Sequence, residues 1–110
     1  MVTVAETGEF SRKANGLFVD AEREALIFYL ACHPESGDLI RGTGGLRKLR
    51  WGAGGKGKRG GARVIYYFHD ENMPLYLLSV YAKGDKADLS SDDRRVLSKL
   101  TDLLRQANGL

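Results

Sequence analysis

The hydrophobic pattern of the chain changes period twice. Between Glu9 and Phe18 the apolar residues Phe10, Ala14, Leu17 and Phe18 fall three or four apart, which predicts a short helix interrupted at Asn15-Gly16. Asp20 stands where an N-cap belongs, and Glu22 and Glu24 follow in the first turn, where the helix dipole favours acids. The apolar run Ala25–Cys32 carries this second helix to about His33, Pro34 stops it, and Glu35-Ser-Gly-Asp38 reads as a turn. The period then drops to two. Leu46–Trp51, Ala62–His69 and Leu75–Tyr81 are strand-length, rich in β-branched or aromatic residues and bounded by turn formers. They predict three antiparallel strands, the last two joined through Asp70–Pro74, while Val2–Ala5 is a short edge strand. Finally Ser90 caps a helix whose Val96, Leu97, Leu100, Leu103, Leu104 and Ala107 keep helical spacing, with Gly109 at the C′ position. The order β-α-α-β-β-β-α predicts an α+β fold: a small, mainly antiparallel sheet with two N-terminal helices and a C-terminal helix.

Length adds that 1–110 is a single domain, large enough to bury one core. A lone cysteine, Cys32, excludes an internal disulfide and a multi-thiolate zinc site, and its apolar neighbours predict that it is buried. No apolar run is long enough to span a membrane, and Met1–Glu6 has neither the basic nor the apolar region of a signal peptide, so a cytoplasmic protein is expected. His33 reads as a helix C-cap and His69 as a turn residue. No His/Cys/Asp/Glu spacing suits a metal, so neither metal nor cofactor is expected.

Charge changes the picture more. The net charge is only +3, yet between Asp38 and Asp70 there is no acid at all. That stretch holds Arg41, Arg47, Lys48, Arg50, Lys56, Lys58, Arg59 and Arg63, leaving nine bases against fourteen acids elsewhere. A basic middle in an acidic protein is the footprint of a surface that grips phosphates. Within it, Gly52, Gly54 and Gly57 fit G-x-G-x-x-G, and Gly52, Gly57 and Lys58 fit a Walker A loop until Arg59 replaces the hydroxyl residue. Both motifs need a helix after the loop, and here a strand follows. The segment reads instead as a long hairpin loop offering Lys56, Lys58 and Arg59 to a nucleic-acid backbone.

Cations inside strands are the sharper signal. Alternation puts Lys48 and Arg50 on one face of their strand and Leu49 and Trp51 on the other. Arg63 opens the next strand and Lys83 follows the last, so an antiparallel pairing brings Arg63 and Lys83 to the same end of the sheet. Such a cluster can hold a phosphate, neutralise charge growing on its oxygens and protonate a leaving oxygen. Trp51 and Tyr66-Tyr67-Phe68 are candidates to stack on bases, though alternation sends about half of them to the core.

Three segments, Gly42–Trp51, Gly57–Tyr67 and Leu77–Lys83 with Asp88-Leu-Ser90, closely resemble the HigB branch of the RelE-like toxins of bacterial type II toxin-antitoxin systems. The resemblance implies a RelE/ParE-like domain that cuts mRNA in the ribosomal A site, and a cognate antitoxin, a small helix-turn-helix protein, that blocks it. It implies that Lys48, Arg50, Arg63 and Lys83 bind the phosphate and stabilise its transition state; Tyr81 joins this catalytic set as a substitute base, and the basic middle segment adds Arg47, Lys56, Lys58 and Arg59 as candidate RNA-binding residues. The implied chemistry is metal-independent attack of a ribose 2′-hydroxyl on the adjacent phosphate. The sequence departs from many relatives at Leu89, where they place a tyrosine or histidine; Tyr81, Lys83 and His69 are the substitutes, in that order. The same fold hosts ParE-type gyrase inhibitors, and a non-catalytic nucleic-acid-binding module is the third reading.

Overall fold

The computed structural model describes residues 1–55, 61–84 and 89–110. In chain order the elements are β1 (Val4–Glu6), α1 (Gly8–Asn15), α2 (Asp20–Cys32), β2 (Asp38–Leu39), β3 (Leu46–Trp51), β4 (Ala62–Tyr67), β5 (Leu75–Ala82) and α3 (Ser91–Ala107). The strands form one sheet in the order β1-β5-β4-β3-β2, with β1 parallel to β5 and every other pair antiparallel. This is the small α+β architecture that the periodicity predicts.

Strand β4 is central and packed on both sides, which is why Ala62–Tyr67 is almost continuously apolar rather than alternating. On one face, Ala62, Val64 and Tyr66 join Leu75, Leu77 and Val80 of β5 under Phe10, Ala14, Leu26 and Leu30 from the two N-terminal helices and Phe18 from the turn between them. Each of the larger aliphatic or aromatic side chains sealed there contributes about 1.5–3 kcal/mol. On the other face, Leu46, Ile65, Tyr67 and Leu78 pack against Leu97 of α3 and Leu89 just before it.

Several boundaries differ from the sequence reading, each for a local reason. Asp38, expected in a turn, opens the two-residue β2, too short to show a period; it pairs with Lys48. Strand β4 stops at Tyr67 rather than His69, and β5 runs one residue further, to Ala82. Asp20 is the first residue of α2, not its cap. Val19 holds the N-cap position, and its N–H donates to the Glu22 carboxylate at 3.0 Å. Cys32 is exposed, because it ends α2 on the side away from Leu26 and Leu30. At the other end of the chain the Ser90 cap is as expected: its hydroxyl accepts from the Asp93 N–H at 3.0 Å while Asp93 accepts from the Ser90 N–H at 3.1 Å.

One glycine is dictated by packing. A Cβ on Gly37 would sit 2.8 Å from the Tyr66 ring, and the Tyr66 hydroxyl accepts the Gly37 N–H at 2.8 Å while donating to the Pro34 carbonyl at 2.8 Å. Burial pushes the Tyr66 phenol up from its ordinary value, so it remains the protonated donor that this pair of bonds requires.

Candidate nucleic-acid interface

The register of the three central strands lines up the predicted residues. Arg50 of β3 lies directly opposite Arg63 of β4, and Arg63 lies opposite Tyr81 of β5. The three make one row across the sheet, with neighbouring backbones roughly 5 Å apart. The next row is Lys48, Ile65 and Ser79, and the one after it Leu46, Tyr67 and Tyr76. All three rows face the side that carries α3, which buries the apolar end of the face. Beyond Tyr81, the Lys83 N–H donates to the Gly61 carbonyl at 3.0 Å, so the pairing continues and alternation returns Lys83 to the same face.

That arrangement depends on a β-bulge. Ile65 pairs with Ser79 but Tyr66 pairs with Leu77, so β5 contains one residue more than β4. Strict alternation from Leu75 and Leu77 sends Tyr81 into the core beneath α2; the extra residue instead puts Val80 with Leu75 and Leu77, and Tyr81 with Leu78. The bulge therefore aims Tyr81 and Lys83 at the Arg63 face, a common use of bulges next to functional sites. No feature of the Leu75–Ala82 sequence announces it.

The electrostatics are one-sided. Arg63 is the only charged residue of the central strand and is half-buried, Arg50 and Lys83 are exposed, Lys48 is half-buried and Tyr81 is buried. Among the described residues, Arg50, Arg63 and Lys83 take part in no ion pair, and the Arg63 guanidinium makes a long 3.4 Å contact to the neighbouring Ala62 carbonyl. Guanidiniums gathered without carboxylates are suited to an anion supplied from outside.

The other predicted residues are placed elsewhere. Arg47 lies on the opposite face, where its guanidinium donates to the Gly37 carbonyl at 2.8 Å and the Glu35 carbonyl at 3.0 Å and so ties β3 to the turn after α2. The sequence held the signal, since Arg47 alternates with Lys48. Lys56, Lys58 and Arg59 lie outside the described residues. Trp51 also faces the helices: its indole N–H donates to the Glu22 carbonyl at 3.0 Å and its ring lies 5.2 Å from that of Tyr29, so it is not presented for stacking on a base. His69 follows the far end of β4, six residues and roughly 20 Å from Arg63, which removes it as a proton acceptor for this row.

One contact joins the glycine loop to α2 with no sign in the sequence. Gly54 and Gly55, both with positive φ, donate their N–H groups to the Glu22 carboxylate at 3.0 and 3.1 Å. With the Val19 N–H these bonds hold the Glu22 carboxyl below the usual carboxylate range, Gly55 having the largest effect. The start of the glycine loop thus binds the chain's own carboxylate rather than a nucleotide phosphate. The first-turn position of Glu22 is legible in the sequence; its bond to the Val19 N–H and its reach to the glycines are not.

A family model described as the RelE toxin of the RelE / RelB toxin-antitoxin system matches residues 35–109, which takes in β2 to β5, the cationic rows and α3. The chain belongs to the RelE toxin family. It is accordingly a toxin of a type II toxin-antitoxin system, and an antitoxin is its partner. The matched span leaves out β1 and both N-terminal helices, so the family pattern resides in the sheet and α3, while the toxin's helical cover on the other face lies outside the match. Among the described residues no three His, Cys, Asp or Glu side chains gather as metal ligands, and no helix is long and apolar enough to cross a membrane.

Proposed function

We propose that this toxin is a ribosome-dependent mRNA endonuclease of the HigB branch, which cleaves RNA by attack of a ribose 2′-hydroxyl on the adjacent phosphorus. The single observation that carries the reading is the row Arg50, Arg63, Tyr81 on one face, flanked by Lys48 and Lys83. Arg50 and Arg63 grip the phosphoryl oxygens and neutralise the charge that grows on them as the phosphorus becomes five-coordinate. The Tyr81 hydroxyl is buried, so Lys83, exposed on the same face and next among the substitute bases, accepts the 2′ proton in its neutral form, and Lys48 delivers a proton to the departing 5′ oxygen. The bond from 2′ oxygen to phosphorus forms as the bond from phosphorus to 5′ oxygen breaks, leaving a 2′,3′-cyclic phosphate and a 5′-hydroxyl. No metal enters this scheme. Lys56, Lys58 and Arg59 add backbone contacts outside the reacting phosphate.

The antitoxin we expect is a small helix-turn-helix protein encoded beside the toxin, and the site of action is the A site of cytoplasmic ribosomes. The test is cleavage of a defined message by purified toxin with and without ribosomes, in the presence of chelator, with the product ends identified. Cleavage that needs ribosomes, survives chelation and leaves cyclic phosphate ends is the expected result. Arrest of replication without message cleavage would overturn it in favour of a gyrase inhibitor, and no effect on either process would leave a passive nucleic-acid binder.

A further inference from the structure

A second basic site lies on the same side of the sheet, built from residues far apart in sequence. The turn before β3 and one side of α3 enclose a groove of about 490 Å³ lined by Arg41 on one wall and Arg94, Arg95 and Lys99 on the other. Ser91 and Ser98 add hydroxyls between the cations, and Asp102 at the far end is the lone acid of the lining. The two walls are fixed together: the Ser98 hydroxyl donates to the Thr43 carbonyl at 3.1 Å, and the Thr43 hydroxyl accepts the Leu46 N–H at 3.2 Å, which joins the turn to the start of β3. From Ser91 to Asp102 the helix advances about 16 Å, room for more than one phosphate group.

We propose that this groove holds the phosphodiester backbone of a single RNA strand continuing from the cleavage row, a proposal that rests on reading that row as an RNA site. Continuity supports it. Leu46 leads directly into Lys48 and Arg50, and Lys48 is two residues, roughly 7 Å, further along the strand on the face that α3 covers. The chemistry of the lining supports it as well. Four cations and the Ser91 hydroxyl suit phosphate oxygens, and the Arg95 ion pair with Asp92 is solvent-exposed and so weakly held. A protein partner, by contrast, needs an apolar centre to its interface, and no apolar side chain lines this groove. The exposed Val96 and Leu103 of the same helix are not part of its lining.

The experiment measures binding of a fluorescent, fully 2′-O-methylated oligouridine, which cannot be cleaved, by anisotropy over a range of salt concentrations. Wild-type toxin is compared with the Arg41→Ala/Lys99→Ala double variant and with an Arg12→Ala control on exposed α1 surface. Arg41 and Lys99 are both exposed, so thermal midpoints should match. The double variant should bind at least fivefold more weakly at low salt and lose about 1.4 units of salt slope, roughly 0.7 per phosphate contact on a single strand. Arg12→Ala should leave both unchanged. Equal affinity and slope in wild type and double variant, or no binding of the oligonucleotide by wild type, would overturn the proposal. So would an acidic peptide that wild type binds and the double variant does not, with oligonucleotide binding unaltered. A groove effect on binding in a toxin that cleaves no message would instead retain this site and reject the nuclease reading.

Discussion

Arg47 and Arg63 are both strand arginines in the same sheet, on opposite faces, and their surroundings assign them opposite work. The Arg47 guanidinium is spent on the Gly37 and Glu35 carbonyls of the turn after α2, with the Glu35 carboxylate 3.7 Å away. Arg63 has Arg50 and Tyr81 as cross-strand neighbours and no ion pair among the described residues. The lesson is that a cation in a strand becomes a candidate for function when the fold leaves its hydrogen-bonding capacity directed outward. The residue type alone does not decide.

The largest expected effect breaks the functional face. Arg63→Ala should lower ribosome-dependent cleavage about a hundredfold to a thousandfold, roughly 3–4 kcal/mol of barrier, the usual loss for one preorganised contact to a developing oxyanion. Its thermal midpoint should stay near that of wild type, because no ion pair is lost. Cleavage at the wild-type rate would remove Arg63 from the site.

Breaking the structural face should do the reverse. Tyr66→Phe deletes the hydroxyl that accepts the buried Gly37 N–H and donates to Pro34, so urea denaturation should show a loss of about 1–3 kcal/mol. Residual cleavage per folded molecule should be unchanged. Arg47→Ala sharpens the same contrast with a smaller effect: stability should fall by about 1–2 kcal/mol, with the rate and the salt dependence of RNA binding kept. A reduced salt slope would instead restore Arg47 to the RNA contacts.

The smallest effect concerns pH. The Arg23 side chain, which donates to both Glu6 carboxylate oxygens, holds the Glu6 carboxyl below its usual value of 4.5, helped by the Ser11 hydroxyl at 2.7 Å. A carboxyl lowered in the folded state contributes stability that is fully present above 4.5 and is lost as pH falls through its folded value. Denaturation midpoints should therefore drop on acidification below that point, and Glu6→Gln, at a cost of about 1 kcal/mol near neutrality, should flatten that part of the profile. An unchanged acid profile in Glu6→Gln would assign the loss to other carboxylates.

Local chemistry made much of this protein legible without a structure. Pro34 ends α2, Ser90 starts α3, and period-two alternation marks Leu46–Trp51 to the residue, because each signal acts within a few positions of itself. The acid-free stretch from Leu39 to His69 and the pairing of Lys48 with Arg50 on one face are equally local. What only the tertiary structure decided is everything that depends on how separate segments meet. The bulge opposite Ile65 and Tyr66 is a property of the β4–β5 pairing, and it alone puts Tyr81 and Lys83 on the Arg63 face. The partners of Arg47 come from the turn after α2, and Glu22 reaches Gly54 and Gly55 across more than thirty positions. Arg41 meets α3 only because Thr43 and Ser98 bond there. Side-chain direction along one strand is set by its own backbone, but which charges are satisfied and which are left for a ligand is set by the neighbours that folding supplies.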